Sequence, residues 1–367
     1  MPAPTPTRAQ TQLARTILTR NLRVRPGENV VIEGWSHSLP WAIALARETR
    51  RLKAYPLVLY EDERTFWDSV EAREEDVLGA APAHEWAMLG KTDVYIHMWG
   101  AGDRLRIAAL GGDRAEKLIG FNSSWYAAAH KAGLRGARLE VGRPFPNLAQ
   151  LYGKSESKWV QQLVAASMVD PARLSALGKP IASALQRGRR LRIRDDSGTD
   201  LTLGLAHRPA RVAAGQVNRS DLKQPFQMLS GLPSGGVRVA LDERVADGKI
   251  VANRPCYYDT GMAQGGVFEF RRGRLVRHHF ESGGKLFEDG FRRGGAGRDR
   301  PGLLSIGLNP KLHDTPQVED LEVGAIMVSV GGNRFFPGGK NMSPFFGFVI
   351  NRGARVEIDG RPLKLPG

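Results

Sequence analysis

Several residues in this sequence have the types and local spacing that chemistry requires. His37 stands behind Gly34-Trp35-Ser36, and Glu61, Asp62 and Glu63 form a second acidic turn; an imidazole and a carboxylate are the usual members of an acid/base pair. A loop histidine is nevertheless more often simply solvated. His278, His279 and Glu281 crowd one stretch, followed by His313-Asp314. Successive strand residues point to opposite faces, so His278 and His279 cannot both aim at one metal from a regular strand. Cys256 has no neighbouring histidine in sequence and reads as a small core hydrophobe. Ser329 and Ser343 have no recognisable partner base. Gly331-Gly332-Asn333 and Pro337-Gly338-Gly339-Lys340-Asn341 have the composition of phosphate cradles, but turn structure is the preferred reading. A basic zone holds Arg271, Arg272, Arg274, Arg277, His278, His279, Arg292 and Arg293 beside Phe268, Phe270, Phe280 and Phe291. It is the better candidate for an anionic or peptide contact.

The elements that must position these groups follow from periodicity. Leu13, Ile17 and Leu18 mark an amphipathic helix that stops at Arg25-Pro26-Gly27. Asn29 to Gly34 is a β-branched run expected to be a buried strand, Trp41 to Lys53 is helical, and Tyr55 to Tyr60 is the next strand. Strand, helix, strand is the unit of an open parallel sheet. It repeats through Val94 to Met98 and the helix Trp125 to Leu134. Ligands of such sheets sit outside the carboxyl ends of the strands, at the loops Gly34 to His37, Glu61 to Glu63 and Met98 to Gly100. No Gly-x-Gly-x-x-Gly follows the first strand, which disfavours a dinucleotide. After Arg187-Gly188-Arg189-Arg190 the long helices largely disappear, and Leu191 to Arg194 with Thr199 to Leu205 forms a hairpin. The expected fold class is α/β: an N-terminal open parallel α/β domain over residues 1–188, then a β-rich α+β domain over 189–367.

The 367 residues suit two domains, and 41% apolar with 25% charged residues is ordinary for a globular chain. The formal charge of +15 favours acidic partners. Basic residues on the strand Leu191 to Arg194 lack interleaved aromatic residues, so nucleic acid is disfavoured. One cysteine allows no internal disulfide. No apolar run lies between Met1 and Gln12, and none elsewhere approaches the ~18 residues of a membrane span. A cytoplasmic protein without membrane contact is expected.

Several segments resemble the thermophilic-type metalloaminopeptidases and the related 2,5-dihydroxypyridine dioxygenases. They are Arg25 to Ile32, the hairpin Asp195 to Leu201, Leu232-Pro233-Ser234-Gly235-Gly236-Val237, Asp247 to Val251, Phe268 to Val276 and Gly307-Leu308-Asn309-Pro310. The likeness covers most of the chain in the family order and is closer to the dioxygenase branch. It implies oxygen and nitrogen ligands around one or two divalent metals. Matched residue by residue, it puts Gly236 where the family has its first Glu and Leu303 or Ser305 at the second. It puts Met327 at a His, and Phe345 and Gly347 at the closing His and Asp. Gly and Phe cannot ligate a hard cation, and a thioether is too soft.

The resemblance therefore implies a divergent member with no metal and no cofactor, and a cleft made apolar by Met327, Phe345 and Phe346. The expected role is a non-catalytic, homodimeric protein that binds an acidic peptide, such as the precursor of a ribosomal natural product. The residues expected at the ligand are Met327, Phe345, Phe346, Arg271, Arg272, His278, Arg292, Arg293, Asn333 and Lys340. The competing expectation is a metal-dependent aminopeptidase or ring-cleaving dioxygenase with a relocated metal.

Overall fold

The computed structural model describes residues 4–72, 83–110 and 122–366. They form two compact units: Met1–Ala149 with Ser155–Met168 and Gly215–Pro233, and Gln150–Lys154 with Val169–Ala214 and Ser234–Gly367. The chain thus passes between the units several times instead of dividing once near residue 188. The helix Pro171–Arg187 belongs to the second unit. No described helix is long and apolar enough to cross a membrane.

The first unit is built on five parallel strands, β1 (Asn29–Trp35), β2 (Tyr55–Glu61), β3 (Val94–Met98), β4 (Arg135–Leu139) and β8 (Leu229–Leu232). Their order is β2-β1-β3-β4-β8, so the sheet grows outward in both directions from the β1/β3 junction. Val30, Ile32, Val94 and Ile96 are fully buried, which is why these β-branched runs settle as central strands. The N-terminal helix Arg8–Thr16 starts at a capping box in which Thr7 and Gln10 exchange hydrogen bonds. It buries Leu13 and, one turn on, Ile17 and Leu18.

The second unit contains two larger antiparallel sheets. One runs β14 (Arg274–His279), β13 (Val267–Arg271), β10 (Ala246–Val251), β6 (Asp200–Gly204), β5 (Arg190–Arg194), β18 (Arg355–Ile358), β19 (Arg361–Pro362). The other runs β17 (Phe346–Arg352), β16 (Ala325–Gly331), β15 (Pro301–Gly307), β9 (Gly236–Ala240), β7 (Arg211–Ala213). β11 (Cys256–Tyr258) and β12 (Gly261–Ala263) make a small hairpin. One core joins the two sheets, with Leu191, Leu201, Ile250, Phe268 and Val356 from the first and Val237, Val239, Leu304, Ile306, Val328 and Val349 from the second. Leu174, Ile181 and Leu185 of the helix Pro171–Arg187 and Phe287 of the helix Gly284–Arg293 extend it. These inward residues alternate along β9, β15 and β16, so the same strands must send their other side chains to an outer face.

One carboxylate gathers several of the bonds that fasten the glycine-rich segment between β16 and β17 to the sandwich. Glu243, in the middle of the loop between β9 and β10, accepts from Arg208 (2.9 Å), from Asn333 Nδ2 (2.9 Å) and from the backbone N–H of Lys340 (3.0 Å). Asn333 in turn accepts from the Asn341 backbone N–H at 2.9 Å. Burial pushes the Glu243 carboxyl up, but the donors from Arg208, Asn333 and the backbone outweigh it and hold the group down from 4.5 to about 2. A depressed folded-state pKa contributes stability above the unfolded value, and that stability is lost as pH falls from about 4.5 toward 2. At ~1.4 kcal/mol per pKa unit the effect is on the order of 3 kcal/mol. Glu243→Gln is expected to lose about 2–3 kcal/mol at neutral pH in urea unfolding, and the difference from the parent should shrink below pH 4.

Candidate functional site

The outer face of the β7–β17 sheet gathers three of the positions that the resemblance singles out, Gly236, Ser305 and Met327. Register pairs Ser305 with both Arg238 and Met327, Met327 with Ile350, and Gly236 with Gly307. Gly236, Arg238, Ser305 and Met327 therefore share one face. Above it lies the short helical turn Glu319–Leu321. Asp320 accepts from Arg238 Nη2 at 2.7 Å and from Ser305 Oγ at 2.9 Å. A Cβ at Gly236 would meet Leu321 Cδ2 at 3.0 Å, so any side chain there would have to push the Leu321 methyl aside.

Beside this ion pair the outer face is apolar. Leu303, Ala325, Met327 and Ile350 form a buried cluster, with Phe336 and Phe348 packed on it. Further along the edge strand β17, Phe346 is 41% exposed and its ring lies 6.0 Å from Phe348, which lies 5.6 Å from Tyr258. Phe346, Phe348 and Tyr258 thus make an aromatic row, with Met342, 64% exposed, in the adjoining loop.

Phe345 and Gly347 do not join this face. Phe345 packs on Phe287 and Phe291 at 5.2 and 5.6 Å in the sandwich core. A Cβ at Gly347 would collide with the rings of Phe287 and Phe345. Strand alternation therefore separates Phe345 from Met327 and Phe346, and the three do not line one pocket. On β17 it is Phe346 and Phe348 that share a face with Met327.

The other expected ligand residues are dispersed. Arg271 and Arg272 lie at the β13–β14 hairpin tip, Arg271 paired with Glu269 at 2.9 Å. His278 is wedged against Phe287 and Phe291 at 4.9 and 5.1 Å, and burial lowers its pKa. Arg292 pairs with Asp289, and Arg293 Nε donates to the Asp289 carbonyl at 3.2 Å. Asn333 is fully buried, and its amide and the Lys340 backbone are used to fasten the loop.

Candidate nucleophiles and bases are likewise engaged. Ser329 Oγ accepts from Leu303 N at 2.7 Å, and Ser343 Oγ donates to Gly294 O at 2.6 Å. Cys256 donates to Phe348 O at 3.4 Å, and burial pushes its thiol well up. In the first unit, burial lowers the His37 pKa, and its Nε2 pairs with Trp99 O at 2.9 Å. Glu63 accepts from Asp103 N at 2.8 Å.

A family model described as thermophilic metalloprotease (M29) matches residues 7–295. The chain belongs to the thermophilic metalloprotease family. Among solved structures it is similar to wild-type AmpT from Thermus thermophilus, at TM-score 0.72 and 18% identity over 98% of each chain. It is also similar to 2,5-dihydroxypyridine dioxygenase from Pseudomonas putida KT2440, at TM-score 0.64 and 15% identity over 98% of this chain and 97% of that one. At these identities the likeness shows the fold. No curated protein matches the chain in sequence. The metalloprotease family implies a metal, and the outer face does not fit one: Gly236, Leu303 and Met327 offer no hard donor, Ser305 is tied to Asp320, and Asp320 is already neutralised by Arg238. No group of three or more His, Cys, Asp or Glu suited to a metal occurs among the described residues.

Arg238, Ser305 and Asp320 carry no local motif; the register of β9 against β15 sets Arg238 opposite Ser305, and the turn Glu319–Leu321 brings Asp320 onto both. Removing the Asp320 carboxylate leaves a partly buried guanidinium without its partner, the costly way to break such a pair. Asp320→Ala is expected to destabilise the second unit by about 2–4 kcal/mol, measured by urea unfolding, with Arg238→Met/Asp320→Leu recovering much of the loss.

Proposed function

We propose that this member of the thermophilic metalloprotease family has given up the family's metal centre and works as a non-catalytic peptide-binding protein. The observation that carries the reading is the outer face itself, where an Arg238–Asp320 ion pair and a Leu303–Met327–Ile350 cluster stand in place of a set of hard donors. A guanidinium supplies positive charge but has no open coordination position from which to polarise a carbonyl or activate water.

The aromatic row favours a peptide. β17 is an edge strand, and its far half is bridged by Arg254 to Ile350. Cys256 Sγ already donates to the Phe348 carbonyl, but no second described strand pairs with Phe346 itself, so an extended chain can hydrogen-bond there while Phe346 receives an apolar side chain. Charge favours an acidic peptide: the net charge is +15, and the guanidinium groups of Arg272, Arg277 and Arg293 form no ion pair among the described residues. An acidic precursor peptide of a ribosomal natural product has this chemistry. We assign a homodimer and a cytoplasmic setting to the same reading.

Fluorescence anisotropy with a labelled acidic model peptide carrying Leu and Phe, against a neutral peptide of the same length, tests this directly. The acidic peptide should bind more tightly, remain intact by mass spectrometry, and lose at least about tenfold in affinity (~1.4 kcal/mol) in Phe346→Ala. Equal binding by Phe346→Ala and the parent, or cleavage of the peptide, contradicts the reading.

A further inference from the structure

The parallel sheet of the first unit carries a second constellation, independent of the outer face described above. Its strand order places the topological switch point between β1 and β3, because the chain proceeds to opposite sides from there. In open α/β sheets this is where ligands bind, at the carboxyl ends of the strands. Near that end, register sets Glu33 beside Leu59 and aligns His97, Arg138 and Gly231, while Glu33 and His97 follow the paired Ile32 and Ile96 and meet through their side chains. Glu33 and His97 flank the switch point, and Arg138 follows on the next strand.

These side chains are arranged for a ligand more than for the fold. Glu33 Oε2 pairs with His97 Nδ1 at 2.9 Å and accepts from the Tyr95 hydroxyl at 2.8 Å. The imidazole is thereby fixed with its Nε2 edge turned away from the carboxylate, while the Glu33 and His97 side chains stay 25% and 26% exposed. With Nδ1 taken by the carboxylate, Nε2 is the ring nitrogen left to face a ligand. Arg138, the neighbour of His97 in the row, makes no ion pair or side-chain hydrogen bond among the described residues, although a half-buried guanidinium normally finds an acceptor. Beyond it Gly231 leaves open space, since a Cβ there would meet only Pro233 O, at 3.9 Å. Trp99 closes the His97 side, its ring 5.5 Å from the imidazole and 3.9 Å beneath the Arg143 guanidinium.

We propose that the β1/β3 switch point is a second ligand site that takes a small oxyanion, held by the Arg138 fork and the Nε2 edge of His97 with Glu33 positioning the ring. Phosphate and carboxylate groups share this chemistry, since both match the planar guanidinium bidentately. Glu33 acts through His97 and is a positioning residue.

Isothermal titration of the full chain with inorganic phosphate and, separately, with succinate tests the site and tells the two sources apart by which binds more tightly. One equivalent of at least one anion should bind, and affinity should fall at least tenfold in Arg138→Gln and in His97→Gln. Arg50→Gln, an exposed arginine on the helix Leu39–Arg51 of the same unit, should bind as the parent does. Arg138→Lys, which keeps the charge without the fork, should melt like the parent and recover part of the lost affinity. Absence of stoichiometric binding by either anion, an equal loss in Arg50→Gln, or no recovery in Arg138→Lys overturns the assignment.

Discussion

The Asp320 carboxylate, bound at once to Arg238 and Ser305, is the interaction on which the outer face of the second unit depends. It draws the turn Glu319–Leu321 onto β9 and β15, brings Leu321 against Gly236, and places a fixed cation on the face. A divalent ion and a guanidinium cannot share that space without severe repulsion, so the pair and a metal centre are alternatives. The same sheet cannot yield from the other side, where Val237, Leu304, Ile306 and Val328 are fully buried in the core. The constraint is one of alternation: inward residues hold the sandwich together, and only the outward ones are free to change with function.

Much of the architecture was legible in the chain. The β-branched runs Asn29 to Gly34 and Tyr55 to Tyr60 with the helix between them specify a parallel unit, and the structure places β1, β2 and the helix Leu39–Arg51 there within a residue or two. The hairpin at Asp195 to Gly198 was readable for the same reason, local turn chemistry between alternating strands. The way segments are shared between the units was not, because the return of Gly215–Pro233 to the first unit depends on β8 pairing with β4, a contact of long sequence separation.

The sites were legible only in part, and the reason is the two-residue period of a strand. Local likeness brought out Gly236 and Met327, which do share a face, but it also brought out Phe345 and Gly347, which the pleat turns to the core. One residue of offset decides between Phe345, packed on Phe287, and Phe346, open to solvent. Glu33 and His97 carried a quieter signal, each a polar residue inside an otherwise apolar strand and close to its carboxyl end. The loops at the strand ends do not include them, since Glu33 lies two residues and His97 one residue inside its strand.

The two faces make different demands on partners. The aromatic edge of β17 suits an extended chain, and the Glu33–His97–Arg138 row suits a small anion. Each is contained in one unit, and neither needs the other in order to act. The claim central to the proposed binding role is that the ancestral metal centre is gone. Its most direct measurement is the metal content of the full chain purified without chelator and dialysed against zinc, cobalt and iron(II) in turn. The account predicts less than a tenth of an equivalent retained at neutral pH, whereas retention of about one equivalent that Arg238→Ala leaves unchanged and Asp320→Ala abolishes would contradict it.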